Sequence, residues 1–320
     1  MTDLTAAQAA ALLREFDDVL ILTHVRPDGD TVGCAAGLCA GLRNLGKRAY
    51  LLENDGKTRT TAPYMAPYEA PEGFVPAYVV STDIAVTDLF PKNAEQYKGR
   101  VDLAIDHHPS FARFGKTNMV RTEAGACGEI IYDVLKELGP VTAEMALPLY
   151  VAISTDTGCF QYSNTTANTH RVAAELLDTG IDYRTVNQVF FRTKSRKRLE
   201  LEGDMLAGME FYDGGRIVVM KVPISLMERV GADETDAEDL SSLGGQIEGT
   251  DCGITMRELR PDVWKFSVRT GPRINASVVC AELGGGGHAA AAGCTVEAPM
   301  AEARRRMLAA VEKATGKFAD

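Results

Sequence analysis

Short apolar runs recur along the first half of the chain, and three of them stop on a carboxylate or an imidazole. Residues 19–23 lead into His24, Asp28 and Asp30; 78–82 lead into Asp83; 101–105 lead into Asp106, His107 and His108. Compact apolar runs bounded by polar turns predict strands buried on both faces, as in a parallel sheet. The run 47–53 fits one more strand. Between the runs, apolar positions fall at helical spacing: Leu4, Leu12, Leu13 and Phe16 share one side of an opening helix, and 125–138, 142–154 and 167–179 read as further helices. The helix 31–45 carries Gly33, Gly37 and Gly41 four apart, a thin stripe suited to lying close on the sheet or, second, to a homodimer face.

Strands alternating with helices predict an α/β domain with a parallel sheet and helices on both faces. Pro63, Pro67, Pro71 and Pro76 forbid a long helix over 54–76, which leaves a lid or a surface excursion. Residues 183–207 read as one long polar helix. A smaller α/β domain then follows, with a strand at 216–222, a hairpin of 253–259 and 263–270, a helix at 275–283 and a last amphipathic helix at 299–314. The expected division is 1–190, a helical connection over 191–210, and 211–320.

The polar residues that end the runs carry the chemistry. In an open α/β sheet, ligands bind outside the carboxyl ends of the strands, so His24, Asp28, Asp30, Asp83, His107 and His108 can converge there. Asp156, after the apolar segment 151–153, supplies another carboxylate. Two carboxylates about 4 Å apart repel by roughly 4 kcal/mol at an effective dielectric of ~20, a cost that a cation offsets. Oxygen-rich ligands with a few imidazoles suit Mn²⁺ or Mg²⁺ better than structural zinc, which prefers closed thiolate-rich sites.

His24-x-x-x-Asp28-x-Asp30, Asp83 after a middle strand, Asp106-His107-His108 and Asp156-Thr157-Gly158 resemble, in order, the four motifs of the DHH phosphoesterase family. Gly284, Gly285, Gly286 and Gly287 followed by His288 resemble the glycine-rich motif of its accessory DHHA1 domain. The resemblance implies two domains across a cleft and a pair of divalent cations, Mn²⁺ before Mg²⁺. It gives one cation His24, Asp28 and Asp83, and the other Asp30, Asp83, His107 and Asp156. Asp106 then orients an imidazole, and His108 contacts the phosphate or protonates the leaving group. The resemblance further implies a grip for phosphate or nucleotide at Asn275, Gly285, Gly286, Gly287 and His288, with Arg269, ending a strand just before them, as the expected guanidinium partner. The chain departs from the family after Asp83, where a small polar and a basic residue are usual and Ile84, Ala85 and Val86 stand; Asp88 reads as a helix-entry charge.

Within that family the chain resembles stand-alone oligoribonucleases and 3′-phosphoadenosine 5′-phosphate (pAp) phosphatases. Metal-dependent hydrolysis of short RNA or nucleotide phosphates is therefore the leading expectation. A linear or cyclic dinucleotide phosphodiesterase is the near alternative. An inorganic pyrophosphatase is weaker, because the basic stretch Ser195-Arg196-Lys197-Arg198 lies between the domains and not late in the second. A non-catalytic nucleotide sensor would have lost metal ligands, and none is lost.

Composition narrows the partners. A net charge of −10 argues against long duplex DNA. No apolar run approaches the ~20 residues that span a bilayer, and the opening residues lack a signal peptide's basic start. Seven cysteines without a C-x-x-C pair read as reduced thiols in a cytoplasmic protein. Phe160 and Tyr162 are candidates for base stacking or for packing, and His170 reads as structural.

Overall fold

The computed structural model describes residues 3–237 and 240–315. It divides into two compact units, the first ending at Thr193 and the second beginning at Lys194. The first contains α1 (Ala6–Glu15), β1 (Val19–Leu22), α2 (Gly29–Asn44), β2 (Ala49–Leu51), α3 (Ala62–Met65), β3 (Tyr78–Thr82), β4 (Leu103–Asp106), β5 (Thr117–Val120), α4 (Cys127–Leu138), α5 (Ala143–Asp156), α6 (Ala167–Asp178) and α7 (Tyr183–Asn187). Its sheet runs β2-β1-β3-β4-β5, all parallel.

The period of two in a strand sorts its side chains by face. Val19 and Ile21 enter the larger core, beside Leu13 of α1, Leu38 of α2, Ile131 of α4, Leu149 of α5 and Leu176 of α6. Leu20 and Leu22 enter a smaller core with Phe90, Tyr97 and Phe111. Helices cover both faces, but unequally: on the second side they are short 3₁₀ turns, Thr87–Leu89 and Lys92–Tyr97. Each fully buried Leu or Ile contributes roughly 1.5–3 kcal/mol by leaving water.

The glycine stripe does not lie on the sheet. A Cβ at Gly33 would overlap the Pro148 carbonyl oxygen, one at Gly37 would come within 2.9 Å of the Leu149 side chain, and one at Gly29 would overlap Thr155. The stripe packs on α5, antiparallel, so the start of α2 meets the end of α5. Asp30 and Asp156 are thereby brought to one place. The sheet was the wrong partner because a parallel sheet accepts ordinary side chains, whereas two helices in backbone contact do not.

Residues 54–76 pack against the β2 edge. Ala70 N donates to Leu51 O at 2.9 Å, Arg43 Nη1 to Pro67 O at 3.1 Å and Tyr68 Oη to Glu144 at 3.2 Å. The single helix expected over 183–207 is broken into α7, a π-helical turn (Gln188–Arg192) and α8 (Arg196–Ala207). Ser195 restarts it by accepting from Arg198 N at 2.9 Å, a capping role that a serine prefers to helix interior.

The second unit contains α8, β6 (Glu210–Tyr212), β7 (Ile217–Val222), α9 (Ile224–Val230), β8 (Cys252–Arg260), β9 (Val263–Thr270), α10 (Ala276–Ala281), β10 (Gly286–Gly287), β11 (Ala291–Glu297) and α11 (Met300–Thr315). Its sheet runs β10-β11-β9-β8-β7-β6, antiparallel except between β7 and β8. One face packs on α10 and α11 through Phe266, Val279 and Met307, the other on α8 and α9 through Met220, Leu201 and Leu226. Among the described residues no helix is long and apolar enough to cross a membrane.

Candidate metal centre

The carboxyl ends of β1, β3 and β4 lie side by side, and each delivers its polar residues to one spot. The turn after β1 carries His24 and Asp28, with the His24 Nε2 3.5 Å from Asp28 Oδ1. Asp28 caps α2, accepting from the amides of Asp30 (3.1 Å) and Thr31 (3.2 Å), so the ligand loop and helix start are one object. Asn54, buried just past β2, steadies this loop by donating to Thr23 Oγ1 at 2.9 Å and His24 O at 2.8 Å. Asp83 follows β3 with φ of +58°, a left-handed conformation that costs an aspartate about 1 kcal/mol or more.

Three groups of donors form, each with ligand atoms within 4.8 Å of one another: His24, Asp28 and Asp83; Asp30, His107 and Asp156; and Asp83, His107 and His108. His107 sits between carboxylates, its Nε2 3.6 Å from Asp83 Oδ1, 3.6 Å from Asp156 Oδ2 and 3.9 Å from Asp30 Oδ2. Its Nδ1 meets the Ala124 carbonyl at 3.1 Å, which places the proton on Nδ1 and leaves the Nε2 lone pair facing the acids. Asp106 orients the other imidazole: its Oδ1 accepts from the backbone of His108 at 2.6 Å and lies 2.8 Å from the His108 Nδ1.

Burial raises Asp30 well above the usual carboxylate range, and the charges of Asp83 and Asp156 push it further. Burial likewise lifts Asp83 and takes Asp156 up to about 7, against the pull of the nearby histidines. Burial works against a protonated His108, but its bond to Asp106 and the Asp83 charge prevail and bring it up to about 9. Asp83 Oδ1 is buried without a hydrogen-bond partner, although such an atom normally has one. Crowded acids, a lone pair aimed among them and an orphaned carboxylate oxygen fit divalent cations. Four carboxylates, Asp28, Asp30, Asp83 and Asp156, match the charge of two.

The remaining expected residues belong to the second unit. Arg269 lies near the end of β9, its Nη1 3.3 Å from Val268 O. Asn275 is the N-cap of α10, its side-chain oxygen accepting from Ser277 N (3.0 Å) and Val278 N (3.2 Å). Gly285 and Gly287 leave no room for a Cβ against β11, whereas the space above Gly286 is open. His288 N donates to Ala291 O at 2.8 Å and closes this turn. Phe160 stacks on His170, centroids 5.3 Å apart, which agrees with a packing role for both. Of the basic stretch, Ser195 donates to Asp236, Arg198 pairs with Glu202 and Lys197 donates to Gly231 O, so these residues build the second unit.

Sequence reading missed Asn54, Asn164 and the backbone groups around residue 125. Asn54 was detectable as a polar residue closing a strand at the site's end of the sheet. Backbone donors leave no such trace.

Fold and site together define a two-unit α/β protein whose parallel sheet gathers aspartates and histidines suited to divalent cations. Residues 18–153 match the family model of the DHH family, N-terminal domain, and 216–317 match that of the DHHA1 domain. The chain is 34% identical over 300 residues to the bifunctional oligoribonuclease and PAP phosphatase NrnA of Thermus thermophilus, covering 92% of this chain and 89% of that one. The chain belongs to the DHH family. Among solved structures, an exopolyphosphatase-related protein from Bacteroides fragilis superposes with a TM-score of 0.84 at 21% identity, covering 96% of both chains. RecJ of Thermus thermophilus in complex with Mn²⁺ has a TM-score of 0.55 at 16% identity, covering 98% of this chain and 55% of that one.

Proposed function

We propose that the protein is a two-metal phosphohydrolase that cleaves phosphoester bonds in short oligoribonucleotides and in 3′-phosphoadenosine 5′-phosphate. The gathering of Asp28, Asp30, Asp83, His107 and Asp156 at one end of the sheet carries this reading, and the named activity of the Thermus thermophilus relative supports its substrates. His24, Asp28 and Asp83 would hold one cation, and Asp30, Asp83, His107 and Asp156 the other, with Asp83 shared. Mn²⁺ is favoured by the mixed oxygen and imidazole donors. When bound, the cations supply charge neutralisation at phosphorus and a more acidic water.

The protein's own groups do the rest. Burial of Asp30, Asp83 and His107 keeps bulk water from the inner donors. His108, whose Nδ1 is held by the Asp106 carboxylate, delivers a proton from Nε2 to the leaving oxygen. In the second unit, Arg269, Gly285, Gly286, Gly287 and His288 form the substrate's phosphate grip, since a guanidinium and open backbone suit an anion; Asn275 adds to it from the cap of α10. Short substrates agree with the net charge of −10, and reduced thiols with a cytoplasmic setting.

The test is hydrolysis by chelator-treated protein restored with Mn²⁺ or Mg²⁺, offered dinucleotides, pentanucleotides, pAp, cyclic dinucleotides and pyrophosphate. Turnover of dinucleotides and pAp supports the assignment. Turnover of only pyrophosphate or cyclic dinucleotides removes it.

A further inference from the structure

One short turn holds the inner triad, Asp30, His107 and Asp156: the first two directly and Asp156 through Asn164. Residues 124–128, just ahead of and into α4, meet side chains arriving from three different elements. The Ala124 carbonyl accepts from His107 Nδ1 at 3.1 Å. The amides of Cys127 and Gly128 donate to the two oxygens of Asp30, at 2.7 and 3.0 Å. The Gly125 carbonyl accepts from Asn164 Nδ2 at 2.8 Å, and the same amide group donates to Asp156 O at 3.0 Å and reaches Asp156 Oδ2 at 3.4 Å. Misplacing this turn would therefore move Asp30, His107 and Asp156 together.

What fixes the turn is Glu129. Its carboxylate is buried, with 1% of the residue exposed. One oxygen accepts from Gly125 N at 3.1 Å and from Thr169 Oγ1 at 2.6 Å; the other accepts from Asn168 Nδ2 at 2.7 Å. Gly125 has no room for a side chain, since a Cβ there would lie 2.8 Å from Asn164 O and 2.9 Å from Glu129 Oε1. No cation among the described residues pairs with Glu129. A buried carboxylate without a counter-ion is costly, and an apolar residue of similar size would fill the space without that cost. Volume alone does not explain a glutamate here.

We propose that Glu129 is a positioning residue: it locks the 124–128 turn so that Asp30, His107 and Asp156 stand as a ligand set before a cation arrives. This rests on the two-metal reading above. Groups that orient ligands from behind typically change metal affinity by about 10- to 100-fold when removed.

The test is titration of chelator-treated full-length protein with Mn²⁺, followed by calorimetry and by Mn²⁺ electron paramagnetic resonance. Wild type is expected to bind two ions of unequal affinity. Glu129→Ala is expected to weaken the tighter one by about 10- to 100-fold, and Glu129→Gln to recover most of it. Asn168→Ala removes one donor to the carboxylate from an exposed position and gives a smaller loss in the same direction, which keeps the test alive should Glu129→Ala not fold. Tyr97→Ala, a cavity on the far face of the sheet, is expected to lower stability and leave Mn²⁺ affinity alone. Unchanged affinity in both Glu129→Ala and Asn168→Ala overturns the positioning role only. An equal affinity loss in Tyr97→Ala also overturns it, since any destabilisation would then suffice. A wild type that binds no Mn²⁺ sinks the functional reading and this inference with it.

Discussion

The two triads of the candidate centre share Asp83 as a neighbour but are built differently. Asp30 and His107 are buried and Asp156 is partly so; backbone groups of residues 124–128 hold Asp30 and His107 directly, and Asn164, docked on the Gly125 carbonyl, holds Asp156. His24 and Asp28 stand on a single turn after β1, and the Asp28 side chain is 61% exposed. The inner set is held by other elements, the outer set chiefly by its own loop. A preorganised site loses less freedom on binding a cation, so the inner triad should fill first and the outer one should sense substrate and solvent. The largest expected effect comes from breaking what both triads use. Asp83→Ala should abolish measurable tight binding of both ions and lower the hydrolysis rate by about 10³-fold, equivalent to ~4 kcal/mol in the barrier. Retained hydrolysis within tenfold of wild type would show that Asp83 is not shared.

The next effect separates fold from ligands. Gly33→Ala forces a Cβ onto the Pro148 carbonyl and pushes α2 from α5. A destabilisation of about 1–3 kcal/mol is expected in urea unfolding, with weaker inner-triad Mn²⁺ binding, because Asp30 and Asp156 ride on those two helices. Gly286→Ala, which meets open space, is the matched control and should change stability little. Equal effects of the two substitutions would contradict the packing account.

How much of this the sequence disclosed follows the same division. Strand ends were legible because an apolar run that stops on His or Asp is a strong local signal, which marked His24, Asp83 and His107; Asp156, at the end of helix α5, was named from the motif resemblance. The partner of the glycine stripe was not legible, since spacing four apart reveals a thin helix face but not what lies against it. The break at residues 188–195 was missed because polar residues at helical spacing score as helix until a capping serine is recognised. The network around Glu129 was hidden for another reason. Glu129 sits in an amphipathic helix where a glutamate normally faces solvent, and its partners are one backbone amide and two side chains about 40 positions away.

Acid–base behaviour of the metal-free protein sharpens the comparison further. Burial holds Asp156 at about 7, above its ordinary 3.8, and raises Asp30 and Asp83 as well. An acid whose folded-state pKa is raised contributes stability that is present below its ordinary pKa and is lost as pH climbs through the folded value. His108, raised to about 9, has the same sign, its contribution fading as pH passes from its ordinary 6.5 through about 9. The chelated protein should therefore unfold at lower urea at pH 8 than at pH 5. Saturating Mn²⁺ should lift the pH 8 midpoint more than the pH 5 one, adding about 2.7 kcal/mol per bound ion at a concentration 100 times its Kd. A chelated protein equally stable at both pH values would mean the acids are not crowded in solution.

The smallest effect tests the outer triad alone. Asp28 has two duties in one side chain: it caps α2 through the amides of Asp30 and Thr31, and its charge faces His24. Asn is as good an N-cap as Asp, whereas Ala is worse by about 1 kcal/mol. Asp28→Asn should thus leave urea stability of the chelated protein within ~0.5 kcal/mol of wild type, while Asp28→Ala loses the cap as well. Both should weaken the second, looser Mn²⁺ ion and spare the tighter one, because Asp30 and His107 keep their backbone anchors and Asp156 keeps Asn164. If Asp28→Asn instead weakened both ions alike, the two triads would be a single coupled unit, and the contrast between a held set and an open one would have to be given up.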